Sequence, residues 1–328
     1  MFEVGPNLWL QGFASPWLNL LMKLVSFFGY DWLYAATVIV LGFGWRLRPM
    51  LGVMLALLLA SAGTHAIKDG FRLPRPVQVD ARVLDKGFAN QQWQTERGGA
   101  EGTFSLPSPV AIDAQRHADA PDYGFLSGHV AAATALCVSF LLWRPRRFWV
   151  RAALIAWPGL MALSRMYLGR HFLADVVAGA LCGVLAAVLA RRLWKLEPPR
   201  WLVPAAVVVA LACLAWPPLA RVPAGQLLGL AITGYAMHKA GWPVPRGGAW
   251  RGVARVALAF GVYALTKSLL AWVEHGVDGQ GIAWAPTLST AVATAVVFLG
   301  SALLCKRMGL YAMPGPGIAQ RTATEAPR

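Results

Sequence analysis

In this 328-residue chain, two histidines, an aspartate and a few cations are the side chains whose types and spacing could do chemistry. His171 and Asp175 stand four apart at the start of an apolar segment, so on a helix they share one face, one turn apart. The carboxylate can then fix one imidazole nitrogen and leave the other as a nucleophile or base. An aspartate at that depth is costly unless paired, although a pair that only stabilises helix packing would show the same spacing. Ser164 and Arg165 precede His171 by seven and six residues, which lets the guanidinium face the same pocket. Arginine suits phosphate because its planar donors bind two oxygens at once; the alternative is an interfacial anchor.

Two further stretches add to that set. Lys68 closes an apolar run and Arg75 follows seven residues later, between Pro74 and Pro76, so a constrained turn carries a cation on each arm. Such a turn can clamp an anion, or simply hold two interfacial cations. Ser127-Gly128-His129 opens the next apolar run, where unpaired backbone N–H groups and the helix dipole favour an anion. Ser127 can donate a hydroxyl, Gly128 allows close backbone approach, and His129 is placed as an acid or base. Cations that hold a phosphoryl group, one histidine that attacks it and another that protonates the leaving group would make a complete reaction.

The elements that must position these groups are membrane helices. The chain is 57% hydrophobic and 14% charged, with apolar runs at about 31–45, 49–68, 125–143, 148–168, 171–190, 201–219, 222–238, 253–273 and 286–305. That pattern predicts an all-α polytopic membrane protein with about nine transmembrane helices. Residues 1–30, interrupted by Gln11, Ser15, Pro16, Asn19 and Lys23, are expected to form an interfacial or re-entrant segment. The first cation is Lys23, so a cleaved signal peptide is not expected. A net charge of +15 could suggest nucleic acid, but the cations sit in short clusters between apolar runs and form no basic domain, so no nucleic-acid partner is expected. Cys137, Cys182, Cys213 and Cys305 all lie in apolar segments and read as packing residues. No carboxylate cluster or His/Cys spacing suggests a metal, and no cofactor is expected.

Cation counting gives sidedness. Arg46 and Arg48, then Arg144 to Arg151, Arg191 to Lys195, Lys239 to Arg251, and Lys306 with Arg307 occupy alternate connections, which predicts that those face the cytoplasm and that all three reactive stretches face away. The long connection 69–124, rich in Gly, Pro and charge, joins two of those stretches and is expected to be a lid or substrate-entry element. Residues 31–195 then form the core, 196–310 an additional four-helix region, and 311–328 a disordered tail. His65, on the Lys68 face, is expected either to back the site or to be a hydrogen-bonded core histidine; Lys267 and the His238–Lys239 pair are expected to snorkel or join helices.

Taken in order, Lys68-x6-Arg75-Pro76, Ser127-Gly128-His129 and Ser164-Arg165-x5-His171-x3-Asp175 closely resemble the signature of the type 2 phosphatidic acid phosphatase family over about residues 31–190. Leu126 stands where that family usually has proline. The resemblance implies a phosphatase helical-bundle core in which His171 attacks phosphorus to form a phosphohistidine, Asp175 orients it and His129 protonates the leaving alcohol. It also implies that Lys68, Arg75, Ser127, Gly128 and Arg165 hold the phosphoryl oxygens and that no metal is needed. Nine spans with the first motif ending the second are similar in layout to glucose-6-phosphatase and the sphingosine-1-phosphate phosphatases. The expected partner is a lipid phosphate or pyrophosphate among membrane lipids, and short basic loops suggest a bacterial inner membrane. A phosphotransferase remains a possible alternative, as does a transporter or inactive binder.

Overall fold

The computed structural model describes residues 1–86, 96–118, 122–195, 204, 206–208, 221–277 and 285–312. The expected span 201–219 apart from those four residues, Cys213, the tail beyond residue 312 and parts of the 69–124 connection lie outside them. The described chain is mostly helical. In order it forms α1 (Gly5–Gly12), α2 (Pro16–Phe27), α3 (Asp31–Gly44), α4 (Leu47–Phe71), the single turn α5 (Pro76–Val79), α6 (Pro109–Arg116), α7 (Gly128–Leu141), α8 (Phe148–Tyr167) and α9 (Leu173–Lys195). There follow α10 (Arg221–Ala240), α11 (Ala249–Val277), α12 (Ala285–Ala295) and, after a π-helical stretch Val296–Gly300, α13 (Ser301–Arg307). Val244–Pro245 pairs antiparallel with Tyr311–Ala312.

Each apolar run whose residues are described falls on a helix, but fewer helices meet a membrane span's requirements of length and apolarity. Among the described residues these are Leu47–Val79, Leu173–Lys195, Ala249–Ala271 and Ala285–Arg307. α2 and α3, bent by 60°, make a fifth if taken as one broken span. The expected count of nine is therefore not confirmed. α3 and α7 have 14 residues each, α8 carries Arg151, Pro158 and Arg165, and α10 carries Gln226, Thr233 and His238, which lowers its apolarity.

Two compact units divide the chain: Met1–Leu33 with Leu59–Leu189, and Tyr34–Leu58 with Ala190–Arg328. In the first, Val25, Val130, Ala133, Met161, Met166 and Val176 bring α2, α7, α8 and α9 into one core. α7 and α9 touch backbone to backbone, since a Cβ on Gly179 or Gly183 would stand 2.6 and 2.4 Å from the carbonyl oxygens of Ser127 and Ala131. Only glycine permits that spacing. A second cluster joins Val4, Val77, Val79, Val83, Ala111 and Phe172. The 69–124 connection, where described, is thus a packed layer under Phe172: Gly98 N–H donates to Val79 O at 2.6 Å and Ser108 N–H to Gly98 O at 2.8 Å.

In the second unit, Arg255 is buried and satisfied by carbonyls. Its Nε donates to Phe43 O at 2.7 Å, its Nη1 to Arg246 O at 3.2 Å and Leu310 O at 3.3 Å, and its guanidinium lies 5.0 Å from the Tyr311 ring. Lys267 is exposed on α11, and Lys239 lies 5.9 Å from the Tyr235 ring centroid. Cys137 and Cys305 are buried and, with Cys182, free.

Candidate active site

The reactive residues sit where four helices of the first unit end or begin. Lys68 is in the last turn of α4, Ser127 stands at the residue just before α7, Arg165 is in the last turn of α8, and Asp175 is in the first turn of α9. Because α7 and α9 start where α4 and α8 finish, residues far apart in sequence share one end of the bundle.

His171 and Asp175 are both buried, and the His171 Nδ1 to Asp175 Oδ2 distance is 3.2 Å. The same oxygen accepts the Phe172 N–H at 2.9 Å, which ties the carboxylate to the turn that carries the histidine. With Nδ1 facing the carboxylate, Nδ1 is assigned the proton, and Nε2 keeps its lone pair. Asp175 also accepts, through its backbone oxygen, the Ser127 N–H at 3.0 Å. One residue therefore links the second and third motifs.

His171 lies in the connection before α9 begins. Burial lowers its pKa well below the usual imidazole value, and the positive charges of Arg75, Arg165 and Lys68, with His129, lower it further. The imidazole is held neutral, as a nucleophile must be. Lys68, Arg75, Arg165 and His129 all lie within electrostatic reach of His171, so the structure brings these sequence-predicted groups together.

Arg75 is buried and aimed by carbonyls: Nε donates to Asp122 O at 3.2 Å, Nη1 to Arg170 O at 3.4 Å and Nη2 to Tyr123 O at 3.4 Å. Nη2 also pairs with the Asp122 carboxylate. The segment after it is zipped to the first motif, because Gly124 N–H donates to Leu73 O at 2.7 Å. Arg165 donates from Nη1 to Ser26 Oγ at 2.6 Å, whereas its buried Nε has no hydrogen-bond partner. Ser127 Oγ is buried without a partner and does not cap α7. Gly128 packs near Thr64, a Cβ there reaching Cγ2 at 3.4 Å. Unused donors beside an uncapped helix start suit an anion. Ser164 plays another part, donating to Met22 O at 2.6 Å. His65 neither backs the site nor enters the core; it is exposed and bonded to Ser61 O at 2.8 Å. Among the described residues, no three His, Cys, Asp or Glu side chains converge to hold a metal ion.

Several residues that sequence reasoning missed complete the arrangement. Asn7, fully buried, donates from Nδ2 to Met166 O at 2.8 Å and to His171 O at 3.0 Å. Gln11, one turn on, donates to Tyr167 O at 3.0 Å and Leu84 O at 2.7 Å and accepts the Leu84 N–H at 3.0 Å. The loop that presents His171 is thus pinned from α1. Arg170 pairs with Asp85 at 3.3 Å. Burial lowers the Arg170 pKa, against Asp85, while Arg75 lowers it and Asp122 and the Tyr30 phenol raise it. The one available signal was polarity: Asn7 and Gln11 are amides four apart in an otherwise apolar segment.

Residues 49–198 match the family model of the PAP2 superfamily. Curated relatives include "Putative undecaprenyl-diphosphatase YbjG" of Escherichia coli (strain K12), 32% identical over 76 residues that cover 23% of this chain and 37% of that protein. Another is lipid A 4'-phosphatase of Bacteroides thetaiotaomicron, 36% identical over 61 residues that cover 19% of this chain and 27% of that protein. The matches span roughly a third or less of those relatives' lengths. The crystal structure of Aquifex aeolicus LpxE aligns with 58% of this chain and 96% of its own, at 19% identity and a TM-score of 0.42. All three motifs lie inside the stretch that is similar to the PAP2 superfamily, residues 49–198, which is a little under half of the chain.

Proposed function

We propose that this protein is an integral-membrane lipid phosphate phosphatase that works without a metal through a phosphohistidine. What carries the reading is the convergence, at one end of a helical unit, of a neutral His171 backed by Asp175, a second histidine, and the cations Lys68, Arg75 and Arg165. The phosphatase names of the relatives agree with it. The cations, Ser127 Oγ and the α7 start take the phosphoryl oxygens. His171 Nε2 attacks phosphorus as the bond to the leaving oxygen breaks, and His129 gives that oxygen a proton. Asp175 stabilises the imidazolium that forms. Water then gives a proton to His129, attacks phosphorus and breaks the N–P bond, which releases phosphate and restores both histidines.

On this reading the site faces away from the cytoplasm, because the basic α7–α8 connection (Arg144, Arg146, Arg147) lies at the helix ends opposite the motifs. About nine helices span the membrane, residues 31–195 form the catalytic core, and residues 196–310 shape a lipid groove or an oligomer contact. The 69–124 layer governs substrate entry.

Purified full-length protein is expected to release phosphate from phosphatidate or a polyprenyl pyrophosphate in the presence of chelator, with inhibition by vanadate. His171→Ala is expected to abolish turnover. Phosphate release that survives this substitution overturns the assignment.

A further inference from the structure

The three motifs supply His129 but do not hold its ring. Nε2 is buried and has no hydrogen-bond partner, so that nitrogen does not fix the imidazole. What packs against it is the bend between α2 and α3. A Cβ on Gly29 would lie 2.3 Å from His129 Cδ2 and 2.8 Å from Cγ, so the ring occupies the space that a side chain at Gly29 would fill. The Tyr30 ring meets the imidazole edge to face, with centroids 5.5 Å apart and planes at 68°. Three residues before Gly29, Ser26 Oγ accepts the only hydrogen bond described for the Arg165 side chain. The bend itself is held by Gly29 N–H to Ser26 O at 2.9 Å and Tyr30 N–H to Phe27 O at 3.2 Å.

We propose that the Ser26–Tyr30 bend is a positioning element of the active site: Gly29 and Tyr30 set the ring of the leaving-group acid His129, and Ser26 sets the phosphate-binding Arg165. The proposal rests on the role given to His129 above. All of these residues belong to the first unit. Gly29 works by lacking a Cβ, since an alanine must displace a ring atom close to the His129 backbone rather than the far end of a flexible chain. Tyr30 works through its ring face or edge, so phenylalanine should serve where alanine does not. A displaced acid matters most when the departing oxygen is a strongly basic alkoxide and least when it is a stable phenolate.

The experiment compares phosphatidate with p-nitrophenyl phosphate on purified full-length protein carrying Gly29→Ala, Tyr30→Ala, Tyr30→Phe or His129→Ala. Gly29→Ala and Tyr30→Ala are expected to lower kcat on phosphatidate by about tenfold or more, part of what a general acid contributes. KM should move little, and the single-turnover burst of p-nitrophenolate, which needs no acid, should be largely kept, while steady-state turnover, whose second step passes a proton to His129, slows. Tyr30→Phe is expected to restore most of the rate lost in Tyr30→Ala, and Gly29→Ala to add nothing to His129→Ala. Equal losses in phosphatidate turnover and in the p-nitrophenolate burst, or none, overturn the proposal.

A readout independent of turnover is the NMR signal of the His129 ring, assigned by its disappearance in His129→Ala. It should shift in Gly29→Ala and Tyr30→Ala and hold in Tyr30→Phe; an unmoved signal in the first two overturns the proposal. If wild type releases no phosphate, or His171→Ala remains active, the phosphatase reading fails, while the ring signal still decides whether the bend holds His129.

Discussion

At the scale of single residues, the site consists of groups whose charge state follows from their surroundings. His171 has a carboxylate on one nitrogen, yet burial and three neighbouring cations dominate and keep it neutral. A lowered pKa means that the uncharged ring persists as pH falls through the ordinary imidazole value. NMR titration of His171 in the free protein should therefore give a midpoint below about 6.5, and a midpoint at or above that value would contradict the electrostatic account. His171, Asp175, His129, Arg75 and Arg165 were legible in the sequence because reactive side chains at fixed spacing are conspicuous inside apolar segments. Ser26, Gly29 and Tyr30 were not. Ser26 meets Arg165 across 139 residues, and a glycine valued for empty space leaves no mark in a pattern of side chains.

At the scale of elements, the chemistry depends on how closely α7 and α9 approach. Gly179 faces Ser127 O and Gly183 faces Ala131 O, and the same contact lets Ser127 N–H reach Asp175 O. Gly179→Val should force the helices apart at a cost of about 1–3 kcal/mol, as overpacking does. The measurable outcome is a lower thermal midpoint together with lower kcat on phosphatidate; unchanged values would show that the contact is not needed. The sequence gives the helices but not this contact, because Gly179 and Gly183 read equally well as filler in a membrane span. The interruptions of the N-terminal segment suggested an interfacial or re-entrant element; in the structure Asn7 and Gln11 turn inward to hold the loop of His171. Polarity inside an apolar run signals a buried partner as readily as it signals the membrane surface.

At the scale of the whole molecule, every group assigned to phosphate chemistry lies in Met1–Leu33 or Leu59–Leu189. The second unit has its own internal ties, of which buried Arg255 is the clearest. Arg255→Leu removes hydrogen bonds to three carbonyls, of which Phe43 O keeps the Tyr311 hydroxyl and Leu310 O keeps the Arg246 N–H, at a cost of about 1–3 kcal/mol. It should lower the thermal midpoint and leave kcat per folded molecule unchanged, as measured by melting and phosphate release. A selective loss of kcat in a fully folded sample would mean that the second unit takes part in turnover. The division was only partly legible, since Tyr34–Leu58 belongs with the later helices although it precedes all three motifs.

Asp175 offers its carboxylate to one histidine motif and its backbone oxygen to the other. Only the first of these uses a side chain, so substitution at position 175 can cancel the nucleophile's support but cannot delete the tether. Over evolutionary time, a copy that lost the carboxylate would keep its two motifs in register. On the proposed mechanism such a descendant still holds the phosphoryl group but no longer cleaves it, and a single codon separates a phosphatase from a binding protein.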